Sequence, residues 1–498
     1  MTLGSASGRY GGTLVVGLSF GAPATLDPAM NGGTSAVEID LASCQRLYDI
    51  VSNHGVIERV PELAAALPVP SKDKLTYTIR LRQGLLFNDG TPLNAQAVVA
   101  SIQRLINLPG SARASDYESV AGVSAAGPYT VVFHMKARDS TLVGNYMFVF
   151  SPTALAKEGA NFGTDPICVG PFMFDHQSGD GSLTYVKSPY YWNRGAIHLD
   201  KIVYVPATNG PVAAAALEAG DIQVLDNVST TVLSSVKENA GLRTISGAGL
   251  GWQGITFNIG NSHGVGNPPY ENVGTPIASS PVLRQAFEEA IDRTTMNRVV
   301  FGGFELPSCT PIPPANTEWF NAIRVPCTPF DPADARKLVA RSGFANPTVT
   351  LLTGSSPDAL RLAQFIQAEE AAVGIDVVLT QTGSTTSGQF DATFNVGYEP
   401  GADGEPNLII SQFFASWGVR NAAGYENKRL DYVLTNGLKA TQFAVRAVNY
   451  RVAQQILLTD RPTIFLYDTI FHAAYSANLT GVGLKANGLL DVSNAQFR

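Results

Sequence analysis

The residues of this chain whose types and spacing bear on chemistry are two glycine-rich runs, six histidines and four cysteines. Gly249-x-Gly251-x-x-Gly254 is spelled like a dinucleotide-binding loop. Such a loop works only between a strand and a helix, because the helix N-terminus must face the pyrophosphate. Here the β-like ITFNI follows, so the cofactor reading is set aside. Gly260-Asn261-Ser262-His263-Gly264 is spelled like a nucleophile elbow, yet it lies in a Pro- and Gly-rich loop with no helix directly behind it. An α/β hydrolase or a dehydrogenase is the rival of another class, and these two runs are its whole support. His54, His134, His176, His198, His263 and His472 are scattered singly, without the i, i+4 spacing of a helical metal pair. No G-x-x-x-x-G-K-[ST] loop occurs, so the chain does not hydrolyse ATP through a P-loop. The expectation is a protein without catalytic residues, metal or cofactor.

Cys44, Cys168, Cys309 and Cys327 are an even set with no C-x-x-C spacing, which argues against a zinc site or a thioredoxin-like pair. Cys309 and Cys327 bracket CTPIPPANTEWFNAIRVPC, a Pro-rich loop with few means of ordering itself. Closing it would contribute about 3 kcal/mol. Two buried thiols in a cytosolic protein are the alternative. For an exported protein the expectation is a Cys309–Cys327 disulfide, whereas nothing in their spacing compels Cys44 and Cys168 to pair.

These side chains need a scaffold, and 498 residues exceed one compact core and imply two or three domains. Apolar residues at 45% against 15% charged argue against global disorder. The formal charge of −7, with no Lys/Arg cluster, argues against nucleic acid as a partner. No apolar run is long enough to span a bilayer, and Met1–Tyr10 lacks the basic-then-apolar pattern of a secretion signal. Either the protein is cytoplasmic or its export segment lies outside this sequence. The Ser- and Gly-rich opening has the composition of a mature lipoprotein tether behind an added Met, with any lipid anchor absent from this sequence.

Periodicity supplies the elements. Thr13–Ser19 reads as a buried strand and Thr34–Val51 as a helix. Thr76–Arg82 alternates strictly, and after the turn Asn88–Pro92 the residue Asn94 caps an amphipathic helix. Strands at Tyr129–Met135, Leu183–Val186 and Leu199–Val205 and a helix at Gly210–Ala219 follow. The Gly/Asn/Pro-rich loop past Gly260 reads as a domain boundary. Beyond it come helices at Val282–Ile291, Ala333–Ser342, Asp358–Val373 and Thr441–Leu458 and strands at Thr348–Leu352, Asp376–Gln381 and Thr463–Tyr467, the pattern of a second α/β domain.

Several of these blocks resemble the family 5 extracellular solute-binding proteins, the peptide and nickel receptors of ABC importers. LTYTIRLRQGLLFNDGTPLNAQAVVASIQRL (Leu75–Leu105) is similar to the family signature. VGPFMF, SPYYWNRGAIHLDKIVYV and AAALEAGDIQVL follow in the family's order, then VLRQAFEEAIDR, PIPP, DPADARKLVARSGF and YRVAQQILLTDRPTIFLY. The resemblance implies an α/β fold of the two-lobed periplasmic-binding-protein type II, or Venus flytrap, kind with an extra inserted domain. Domain I would comprise 12–56, 175–260 and 471–498, domain II 57–174, and domain III 261–470. Ligand would bind between lobes I and III.

It also implies an extracytoplasmic monomer, periplasmic or tethered to the cell surface, that delivers a small molecule or short peptide to a membrane permease. An oligosaccharide, a chelated metal or an opine-like compound is the alternative ligand. In peptide-binding members an acidic residue of the third domain pairs with the peptide's amino group. The matching stretch Phe394–Phe414 offers Asp403 and Glu405, and its loop departs in length from the family's. Phe20, Trp252, Tyr398 and Trp417 are the aromatic candidates, flat side chains that bind varied ligands at small entropic cost.

Overall fold

The computed structural model describes residues 10–53, 56–142, 147–397 and 404–498. Two compact units divide the chain, the first holding residues up to Gly247 and from Phe471 onward, the second most of Ala248–Ile470. In the first unit, strand β1 (Thr13–Leu18) leads to helix α1 (Thr34–Ser43) and the hairpin of β2 (Tyr48–Asn53) and β3 (Val56–Pro61). The expected helix over Thr34–Val51 therefore stops eight residues early. Tertiary pairing overrides its apolar period: Gln45 N–H donates to Val169 O, and Tyr48–Asn53 takes the whole of Val56–Pro61 as a partner.

A separate antiparallel sheet joins β4 (Thr76–Arg80), β5 (Val120–Ala125) and β6 (Thr130–Met135), with β6 between the other two. Helix α2 (Ala95–Asn107) starts where Asn94 Oδ1 accepts the Ala97 N–H at 3.0 Å, the cap read from the sequence. Then come β7 (Phe172–Gln177), β8 (Leu183–Lys187), β9 (Lys201–Pro206), helix α3 (Gly210–Ala219) and β10 (Val224–Leu225). Strand β1 lies between β9 and β10, parallel to both, with Thr13 opposite Lys201 and Val16 opposite Val224. Leu14, Val16, Leu18, Ile39, Phe172, Ile202 and Val224 form the core beneath it.

Strand β11 (Leu242–Phe257) passes from the first unit into the second. There it continues to helices α4 (Pro281–Glu289), α5 (Arg293–Val300) and α6 (Pro332–Arg341), then β12 (Thr348–Leu352), α7 (Pro357–Val373), β13 (Asp376–Thr380) and β14 (Ala392–Gly397). Helices α8 (Pro406–Phe414), α9 (Lys428–Lys439) and α10 (Phe443–Asp460) precede β15 (Thr463–Ser476), which runs back into the first unit. Strand β12 is parallel to β13 and β14, and β14 pairs antiparallel with β11 from Trp252/Gly397 to Phe257/Ala392. Alternation along the strands feeds two cores. Ile255, Phe257, Ile464 and Leu466 join Phe287, Leu351 and Ile366 on one face, and Trp252 and Phe465 join Trp319, Phe413, Phe414 and Tyr450 on the other.

The glycine-rich spelling at Gly249–Gly254 is thus part of a strand, with no helix behind it. A Cβ at Gly254 would lie 2.5 Å from Ile464 O, so close strand approach explains that glycine. The loop after Gly260, expected as a boundary, lies inside the second unit. Buried Asn258 and Asn261 fix it there, Asn261 Nδ2 donating to Ala422 O at 3.0 Å and Asn258 Nδ2 to Gly388 O at 2.9 Å. Disulfides join Cys309 to Cys327 and Cys44 to Cys168.

Candidate functional site

The second unit carries a recess of about 210 Å³. Phe301, Leu362, Phe394 and Leu466 give it an apolar floor, and Gln253, Ser356, Asp358 and Tyr467 a polar rim. Local chemistry fixes that rim. Ser356 caps α7 by accepting the Ala359 N–H, Asp358 Oδ1 accepts from Arg361 Nη2 at 2.9 Å, and Gln253 Nε2 reaches Thr469 Oγ1 at 3.4 Å. An apolar floor with a few convergent polar groups suits a small solute better than water alone.

Two further carboxyls, Glu305 and Asp468, belong to this region. Burial pushes Glu305 up to about 8, with the charges of Asp358 and Asp468 adding to the effect. Asp468 is wholly buried, and burial pushes it up to about 7 against a partial offset from the Ser308 hydroxyl. Near neutrality these groups exchange between hydrogen-bond donor and acceptor forms.

The first unit offers the C-terminal ends of the parallel strands β1 and β10, where open α/β sheets bind ligands. Asp226 Oδ1, just past β10, accepts the Ser19 N–H at 2.8 Å, and Ser19 Oγ donates to Asn227 O at 2.8 Å. Phe20 leaves this anchored turn 55% exposed. Below it, Ser246 Oγ lies 2.8 Å from His472 Nδ1, and burial lowers this histidine to about 4, so it is neutral.

Of the residues named from the sequence, Phe20 and Trp417 present aromatic surface, Trp417 being 48% exposed in the turn after α8. Trp252 does not, which corrects the expectation of a ligand-facing ring. It is fully buried, with ring centroids of Phe413 and Phe414 at 5.6 Å and Phe465 at 5.0 Å, and a Cβ at Gly397 would fall 1.9 Å from its indole. Glu405 is also corrected as a solute-facing charge. It is 6% exposed and ion-paired with Arg446, whose guanidinium lies 4.8 Å from the Trp319 ring centre. Tyr398 and Asp403 lie outside the described residues. Sequence reading missed the recess: the helix over Asp358–Val373 was legible, but no local signal marks its start as a wall.

Comparison with known proteins gives this geometry a context. Glutathione-binding protein GsiB of Shigella flexneri serotype 5b is 28% identical over 477 residues, covering 92% of this chain and 89% of its own. The solved Helicobacter pylori DppA, in complex with peptide STSA, has a TM-score of 0.82 at 20% identity over 98% of both chains. AgaA of A. tumefaciens R10, in complex with agropinic acid, has a TM-score of 0.80 at 23% identity over 98% of this chain and 99% of its own. Both solved structures share this fold, an α/β fold of the periplasmic-binding-protein kind. The family model of bacterial extracellular solute-binding proteins, family 5 Middle, matches residues 58–425, roughly three quarters of the chain. Two disulfides accord with the oxidising compartments where such receptors work. The chain belongs to the family 5 bacterial extracellular solute-binding proteins, and is a solute-binding protein of an ABC importer rather than a catalyst.

Proposed function

We propose that the solute is a short peptide that this receptor hands to the permease, with Phe20, Tyr398, Asp403, Trp417 and the recess of the second unit as the candidates for holding it. The recess carries this reading. Its apolar floor suits a side chain, and Gln253, Ser356, Asp358 and Tyr467 suit the amide and ammonium groups of a peptide. In this reading residues 57–174 are an inserted domain without ligand contacts. Asp403 is the carboxylate that the family resemblance implies for the peptide's ammonium, and in this reading Asp403→Asn weakens binding by about 2–5 kcal/mol, mostly as faster release.

A thermal-shift panel of the dipeptide Met-Leu, glutathione and agropinic acid tests the class. A true ligand at a hundred times its Kd stabilises the folded state by about 2.7 kcal/mol. A shift with either peptide and none with agropinic acid supports the reading. A shift with agropinic acid alone replaces the peptide by an opine. The oligosaccharide alternative has lost one of its two expected stacking rings, since Trp252 is buried in the core.

A further inference from the structure

In the first unit the chain passes from β1 to α1 through residues 19–33, a segment of turns without helix or strand. Its head is the Ser19 turn anchored by Asp226 and Asn227, from which Phe20 leaves exposed. Its second half folds around Asp27, which is 1% exposed. Asp27 Oδ1 accepts the Ala29 N–H at 3.0 Å, and Asp27 O accepts the N–H groups of Met30 at 2.9 Å and Asn31 at 3.1 Å. An aspartate bonded to its own backbone makes a turn, but a buried charge needs a partner. That partner is Arg104, in the last turn of α2 and 77 residues away. Its Nη1 reaches Asp27 Oδ1 at 2.9 Å and its Nη2 bonds to Oδ2, the two-point match of a guanidinium with a carboxylate. The guanidinium carbon lies 5.6 Å from the ring centre of Phe150 and 5.2 Å from that of Phe162, and both rings are wholly buried. Neighbouring stretches grip the same segment. The Ala112 N–H donates to Ala29 O at 2.8 Å and Arg113 Nη2 to Asn31 O at 3.2 Å, and a Cβ at Gly163 would fall 2.2 Å from Thr25 Oγ1.

We infer that Arg104 is a positioning residue for solute capture: by holding Asp27 it fixes the segment between β1 and α1, which carries Phe20, in one form. Loops at the C-terminal ends of parallel strands are where such sheets meet their ligands. A loop already held in its binding form spares the solute the cost of ordering it. Arg104, Ala112, Arg113, Phe150, Phe162 and Gly163 all belong to residues 57–174, which in the reading above are an inserted domain without ligand contacts. That stretch thereby acquires a task, to hold a binding loop of its neighbour, and the link to solute capture rests on the function proposed above.

Amide hydrogen exchange and binding of two variants test this. In Arg104→Met the Asp27 charge loses its partner, and the amides of Ala29, Met30 and Asn31 should exchange roughly tenfold faster or more, while those of β5 and β6 keep the parent's rates. Arg104→Lys keeps the charge without the fork and should fall between the two. Titration with the dipeptide Met-Leu and with glutathione should show binding to Arg104→Met weakened about tenfold, mostly as slower association, and partly restored in Arg104→Lys. A purely structural pair would lower the melting temperature and leave the Kd of the folded protein unchanged. That result overturns the inference, as do parent exchange rates at residues 29–31 in Arg104→Met, or a loss of protection spread equally over β5 and β6. Should Arg104→Met fail to fold, Arg104→Lys decides by the same readouts. If neither probe binds the parent, the peptide reading has failed, and exchange at residues 29–31 alone decides whether Arg104 holds the segment.

Discussion

Two regions of the second unit treat buried carboxyls in opposite ways. Glu288 on α4 is 1% exposed and receives Arg293 Nη2 at 3.0 Å, Arg461 Nε at 2.7 Å and Thr328 Oγ1 at 2.8 Å. Glu305 and Asp468, beside the recess, have no cation in an ion pair among the described residues and are pushed up to about 8 and about 7. Where the chain must hold its own framework it supplies guanidinium groups. Beside the recess it leaves the acids uncompensated, so that their charge depends on pH and on what enters.

The sharpest way to break this contrast is to remove the matched charge. Glu288→Ala strands Arg293 and Arg461 in a buried setting, and the expected loss is about 3–5 kcal/mol of stability in chemical denaturation. A loss under about 1 kcal/mol would place Glu288 with the weakly coupled surface pairs instead.

The uncompensated acids should show themselves in pH dependence. Their pKa values are raised in the folded state, so from about pH 4, where the unfolded groups titrate, the folded chain binds more protons than the unfolded one. The stability they contribute is fully present below that pH and is lost as pH rises through about 7 for Asp468 and about 8 for Glu305. Asp468→Asn keeps a neutral side chain of the same shape and should flatten the melting profile between pH 5 and 9. The expected change is on the order of 1–3 kcal/mol across that range. Parallel profiles for variant and parent would mean that Asp468 is ionised in the folded state at neutral pH.

How much of this was legible depended on how local the cause was. Strand β12 and helix α3 fall on the ranges read from the sequence, because alternation, caps and glycine breaks act over a few residues. The end of α1 was not legible, since the strand pairing that replaces its last turns comes from Val56–Pro61 and residues near Val169. Among the aromatics, Phe20 and Trp417 are exposed and Trp252 is buried, although all three were named from the sequence on the same footing. Burial of Trp252 is decided by Phe413, Phe414 and Phe465, more than 150 residues away, and by the bare backbone of Gly397. The pairing of Glu405 with Arg446 spans 41 residues and was equally hidden.

A third class lies between the two compared regions. Glu370 on α7 is wholly buried, faces the core of Leu362, Ile366 and Val373, and neither carboxyl oxygen has a hydrogen-bond partner. Burial raises its pKa well above the ordinary carboxylate range, with Glu369 adding to the effect, so it sits in the core as a neutral acid. Replacing it by Leu, of similar volume, removes an unsatisfied polar group and should stabilise the protein by about 1–2 kcal/mol in denaturant unfolding. Destabilisation by Glu370→Leu would mean that the carboxyl serves a partner these contacts do not show.

The smallest expected effect separates a framework charge from a ligand charge most directly. Glu405 belongs with Glu288 by every criterion of the comparison: it is 6% exposed, paired with Arg446, and placed at the N-terminus of α8, where negative charge is favoured. A buried carboxylate already matched by the protein's own guanidinium is not open to a solute's ammonium, unlike the part-exposed Asp358 on the recess rim. Glu405→Gln keeps a hydrogen-bond acceptor for Arg446 and should leave the Kd for whichever probe of the thermal-shift panel binds within about twofold, in contrast with the 2–5 kcal/mol expected for Asp403→Asn. Isothermal titration of both variants, read beside their melting temperatures, makes the distinction. If Glu405→Gln weakened binding more than about tenfold without lowering the melting temperature, the Arg446 pair would have to open for the solute, and Glu405 would move to the uncompensated class.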